Sequence, residues 1–90
     1  MCLTLESDYA VRIIGCLSAE NKRIDAKNIS ERTGVSLRFA LKILRKLVSA
    51  GLVKSYKGMQ GGYELAKAPS EITMLDVIET VEGSYYLNRC

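Results

Sequence analysis

Between Ser7 and Glu20 the apolar residues Ala10, Ile13, Ile14 and Leu17 recur three and four positions apart, the spacing that lines up one side of an α-helix. Ser7 stands where it can cap the start, and Asp8 brings negative charge to the first turn. The polar run "ENKR" then predicts a loop. A second helix is expected over 26–32, with Asp25 as N-cap, Ala26 and Ile29 facing inward, and Gly34 free to turn left-handed just past the end. Ser36 can cap a third helix over 37–50. The interval "TGVS" therefore has the length and chemistry of a helix-turn-helix turn. At ~100° per residue, Leu37, Ala40, Leu41, Leu44, Leu47 and Val48 of the third helix gather on one face. Arg38, Lys42, Arg45, Lys46 and Ser49 gather opposite, with Phe39 and Ile43 between the lysine edge and the core.

After Gly51 the period changes to two. Leu52, Lys54 and Tyr56 alternate with Val53, Ser55 and Lys57, "GMQGG" turns the chain, and "YELA" returns. This predicts a β-hairpin over 52–66 with a glycine-bearing tip. Beyond Pro69 a last helix is expected over 74–82. Thr73 and Asp76 have capping-box spacing, Ile72 and Val77 can form a hydrophobic staple, and Gly83 supplies a stop. The order of helix, helix, turn, helix and hairpin places residues 1–90 in one fold class: mainly α with a small β-hairpin, a winged helix-turn-helix forming a single domain.

Composition, 48% hydrophobic and 26% charged, fits an ordered globular chain. No apolar run approaches the ~20 residues of a membrane span. The opening "MCLTLESDYAV" has acids before any base and no long apolar stretch, unlike a signal peptide, so a cytoplasmic location is expected. Cys2, Cys16 and Cys90 are odd in number and widely spaced, which argues against a disulfide framework or a zinc finger. Histidine is absent, removing the commonest general base, and no enzyme is expected.

Charge is unevenly placed. The net charge is +3, yet the 31 residues from Thr33 to Tyr63 contain no acid and six bases: Arg38, Lys42, Arg45, Lys46, Lys54 and Lys57. Such a block is an electrostatic footprint for a polyanion. The major groove, ~12 Å wide, admits one helix, and a hairpin can reach the neighbouring groove or phosphates. Sequence-specific binding of double-stranded DNA is the reading that joins element order to charge. The alternative is a winged-helix protein-interaction module that meets an acidic partner through the same block.

The segments "MCLTLESDYAVRII", "ISERTGVSLRFALKILRKLVSAGLVKSYKGMQGGYELAK", "ITMLDVIETVEG" and "NRC" resemble the IscR/NsrR/CymR-type family of bacterial winged-helix transcription regulators, several of which carry an iron–sulfur cluster. The resemblance covers nearly the whole chain. It implies that the recognition helix starts at Ser36, making Ser36, Arg38, Phe39, Lys42 and Arg45 groove or phosphate contacts. Arginine and lysine suit guanine edges or phosphates, and Phe39 suits a thymine methyl, although it also reads as a core residue at the helix edge. Lys46 reads as a solvated residue. In the wing, the resemblance implies that Lys57 enters a minor groove, with Ser55 and Gln60 as hydrogen-bonding neighbours, and the double glycine lets the backbone approach closely. Many relatives have proline or glycine where Met59 and Gln60 stand.

The same resemblance places Cys90 on the first of three cluster-ligating cysteines. The others, and the long dimerisation helix, would lie beyond residue 90. In this chain Cys90 reads as a free terminal thiol, because an iron–sulfur cluster needs about four ligands. No cofactor is therefore expected here, with a cluster reserved for a longer form. Asp8 matches a cluster-ligating aspartate of nitric-oxide-sensing relatives, or is a solvated first-turn carboxylate. Cys16 reads as a small buried apolar side chain, and Cys2 replaces a basic residue common in relatives. The implied assembly is a homodimer on a two-fold operator, its recognition helices about 34 Å apart.

Overall fold

Three side-chain caps and a row of buried aliphatics fix the helices. The computed structural model describes residues 5–20, 22–58 and 61–82. Its helices are α1 (Leu5–Glu20), α2 (Ala26–Thr33), α3 (Leu37–Ser49) and α4 (Met74–Glu82), with strands β1 (Val53–Tyr56) and β2 (Gly62–Leu65) between α3 and α4. A short 3-10 turn, Pro69–Glu71, precedes α4.

α1 begins earlier than the apolar spacing implied. Ser7, expected as its cap, lies inside the helix and is fully buried. Asp25 caps α2, accepting from the Asn28 N–H at 2.7 Å. α2 ends at Gly34, left-handed with φ 77°. The turn is held by the Thr33 hydroxyl, which donates to the Ile29 carbonyl at 2.7 Å and accepts from the Val35 N–H at 3.3 Å. Val35 is buried, so the turn is pinned to the core. Ser36 then caps α3, accepting from the Phe39 N–H at 3.3 Å.

The core joins Ala10, Ile13 and Leu17 of α1, Ile29 of α2, and Ala40, Ile43, Leu44 and Leu47 of α3 to Leu52, Val53 and Val77. Each large aliphatic there contributes roughly 1.5–3 kcal/mol by leaving water. The stripe on α3 is rotated from the expected one. Ile43, placed at the edge by periodicity, is fully buried, whereas Leu37 and Leu41, placed in the core, are 45% and 39% exposed.

β1 and β2 pair antiparallel, with Val53 opposite Leu65 and Tyr56 opposite Gly62. A third segment joins them: the Ile24 N–H donates to the Tyr63 carbonyl at 2.9 Å, and the Tyr63 N–H donates back at 2.8 Å. This bridge explains one glycine of the pair, and the hairpin's own backbone explains the other. A Cβ on Gly62, whose φ is 151°, would stand 2.8 Å from the Ile24 carbonyl oxygen, and one on Gly61 would strike the hairpin's own backbone at the Tyr56 carbonyl. The close approach permitted by these glycines is thus used inside the fold.

α4 opens on the expected capping box. The Thr73 N–H donates to Asp76 at 3.1 Å, and the Asp76 N–H donates to the Thr73 hydroxyl at 3.0 Å. The backbone bond from Thr73, followed by that of its side chain, holds the Asp76 carboxyl below the usual carboxylate range. Val77 is buried and Ile72 packs half-buried against the core, as a staple requires. Gly83, the expected stop, lies outside the described residues.

Candidate nucleic-acid interface

α3 packs inward against α1, α2 and α4, which leaves its other side to solvent. Arg38, Lys42, Arg45 and Ser49 are exposed there, with Leu37 and Leu41 beside them. Among the described residues, Arg38 and Arg45 form no ion pair. Ser36 is exposed at the helix start, its hydroxyl oxygen occupied with the cap. Phe39 is half-buried: its ring meets Tyr9 of α1 edge-on at 5.4 Å between centroids, and the Lys42 ammonium lies 5.4 Å from its centre. Phe39 thus sets α3 against α1.

The acid-free block of the sequence acquires an acid in space. Glu6 of α1 pairs with Lys46 at 2.7 Å and approaches Lys42 at 3.9 Å. Lys46 is therefore tied across two helices, not simply solvated as the sequence implied.

Within the wing, Lys54, Ser55 and Lys57 are exposed, and the two lysines form no ion pair among the described residues. Gln60 and Met59 lie outside the described residues. The wing is tied down at its root. The Leu52 N–H donates to the Leu47 carbonyl of α3 at 3.0 Å, and the Ala66 N–H to the Leu52 carbonyl at 2.9 Å. The Ile24–Tyr63 bridge fixes its outer edge to the segment entering α2.

That bridge brings in a cation missed by periodicity. The Arg23 guanidinium lies over the Tyr56 ring at 3.8 Å, and the Tyr56 hydroxyl donates to Glu64. Hydrogen bonding to Glu64 and burial raise the Tyr56 pKa, keeping the donor protonated. Arg23 belongs to the run "ENKR", where neither a helical nor a strand period marks a surface role.

The metal candidates are not gathered. Asp8 pairs with Arg12 at 3.0 Å on the same helix. Cys16 is a free, half-buried thiol whose pKa is raised by burial against the opposing pull of Arg32. No group of three or more His, Cys, Asp or Glu forms a potential metal site among the described residues, so these do not fit an iron–sulfur cluster by themselves. Cys2 and Cys90 lie outside the described residues. Nor is any described helix long and apolar enough to cross a membrane.

Residues 3–90 match the Rrf2 family, described as "Iron-dependent Transcriptional regulator". The chain belongs to the Rrf2 family. Among curated relatives, Protein aau3 of Rhizobium meliloti (strain 1021) is 37% identical over 91 residues, all of this chain and 59% of its own length. The HTH-type transcriptional regulator IscR of Aliivibrio salmonicida is 38% identical over 92 residues, again all of this chain but 55% of the relative. The chain thus spans a little over half the length of these relatives. CymR of B. subtilis, titled the global cysteine regulator, superposes with a TM-score of 0.87 at 29% identity, covering 92% of this chain and 66% of that one. T. potens IscR gives 0.84 at 35% identity, covering 93% and 63%. These neighbours share the winged-helix architecture of four helices and a two-stranded hairpin.

Proposed function

We propose that this Rrf2 chain is the DNA-binding part of a transcription regulator that reads duplex operators as a homodimer. α3 enters the major groove, and the β1–β2 wing lies along the adjacent groove or backbone. The observation that carries this reading is the outward placement of Arg38 and Arg45 on α3 and of Lys54 and Lys57 on the wing, none of them in an ion pair among the described residues, although Lys54 stands opposite Glu64 in the hairpin. Arg38 stands near the start of α3, where a recognition helix meets base edges, and Arg45, two turns on, faces phosphates. Lys42 and the Ser55 hydroxyl add further contacts, and Ser36 orients the helix start. Arg23, stacked on Tyr56, adds positive charge beside the end of β1 that leads into the hairpin turn.

Homodimerisation uses chain beyond the segment that matches here, and α4 offers Met74 and Leu75 as an exposed apolar surface suited to a subunit contact. Iron–sulfur sensing belongs to that longer form, where Cys90 would be joined by further cysteines. Within this reading the protein works in the cytoplasm and carries out no catalysis.

The experiment is a salt titration of binding to duplexes selected from a random-sequence library by the full-length protein. Phosphate neutralisation releases counterions, so log affinity should fall linearly with log salt. Lys57→Ala should weaken binding across sequences and flatten the slope by about one. Affinity that is insensitive to salt, or competed by polyglutamate and not by duplex, would support the acidic-protein partner instead.

A further inference from the structure

We propose that Leu37 and Leu41 read the 5-methyl groups of thymines in the major groove, so that α3 selects sequence by apolar contact as well as by charge. This rests on the DNA-binding reading above and names how that surface discriminates. Single exposed leucines are common, but these two stand on successive turns, four positions apart, and form one row along the helix. They are 45% and 39% exposed while Ala40, Ile43, Leu44 and Leu47 on the same helix are completely buried. Side-chain volume that the core has no room for thus lies on the outer side of α3.

Charge complementarity names the occupant. Arg38 and Lys42 each follow one of the leucines in sequence, and Arg45 continues the leucine row by one more turn. Any partner that covers Leu37 and Leu41 must also satisfy these cations. In a major groove, phosphates meet the cations and the thymine methyl is the apolar group presented at base edges. Both leucines lie in the first half of α3, the portion of a recognition helix closest to bases. Phe39, the aromatic candidate for the same role, is held half-buried against Tyr9.

The test uses the full-length protein and a duplex it selects from a random-sequence library. Each thymine is replaced in turn by deoxyuridine, which removes the methyl and little else. The wild-type protein should lose roughly fourfold in affinity at one or two positions per half-site, about the worth of one buried methyl-sized group. Leu41→Ala or Leu37→Ala should bind thymine and uracil duplexes equally at the position its leucine covers, with the salt slope unchanged. Both sites are exposed and alanine favours helix, so circular dichroism should match wild type.

Equal wild-type binding to thymine and uracil duplexes overturns the inference. So does methyl sensitivity that persists in both leucine variants, or a leucine effect seen only as a changed oligomeric state in sedimentation. Failure to select any duplex removes the DNA-binding reading itself, and is distinguishable because it precedes every uracil comparison.

Discussion

Glu6 precedes Lys46 by 40 positions and yet accepts a hydrogen bond from its ammonium at 2.7 Å. This one carboxylate reshapes the charge of α3, because it also stands 3.9 Å from Lys42. Surface ion pairs contribute little to stability, commonly below about 1 kcal/mol, so the consequence is mainly for what α3 shows to a polyanion. Glu6→Gln should therefore leave thermal unfolding almost unchanged while steepening the salt dependence of binding to a random-sequence duplex by about one in slope. Fluorescence anisotropy across a salt series measures both affinity and slope, and an unaltered slope would mean that the two lysines were already available. The identity of the cations was legible in the sequence; their pairing was not, since ion pairing across forty positions leaves no periodic trace. Phe39 shows the same limit. Its position between two faces was readable, but its contact with Tyr9 depends on how α1 crosses α3.

At the scale of elements, caps and periods foretold most of what formed. Asp25, Ser36 and Thr73 all cap as their spacing implied, since a cap needs only residues within one turn. The buried stripe of α3 was displaced for a physical reason: eight of its thirteen residues are apolar, more than its neighbours can cover. Periodicity sets the width of such a stripe, but the packing of α1, α2 and α4 decides which edge is left in water. The single-pair bridge between Ile24 and Tyr63 was invisible for a different reason, since one residue pair has no period. It makes Gly62 costly to replace. Gly62→Ala should lower stability by roughly 1–3 kcal/mol, through an unfavourable φ and a Cβ pressed on the Ile24 carbonyl. Gly15→Ala, on α1 with open space around it, should raise stability by up to about 1 kcal/mol. Urea midpoints check both, and equal midpoints for Gly62→Ala and wild type would deny the bridge its role.

As a whole molecule the chain measures 42 × 26 × 20 Å, with α1 in contact with every other helix and with β2. Under the proposed function a domain of this size covers about one operator half-site, so a two-fold operator takes two copies. Hydroxyl-radical footprinting of the full-length protein on a selected duplex should show two protected patches roughly 34 Å apart on one side of the helix. A lone patch would remove the homodimer from the proposed function. The charge asymmetry behind this picture was readable from the order of charged residues along the chain, whereas the intrusion of Glu6 and the contribution of Arg23 emerged only from its path in space. That path also determines what can be exchanged between relatives. Since Ile24 bridges the outer strand of the hairpin at Tyr63, a wing transplanted from a relative would arrive without the segment it was shaped against. The structural unit is discontinuous: Arg23 and Ile24 hold Tyr56 and Tyr63 of the hairpin, so a transplant of the wing must move the two pieces as one.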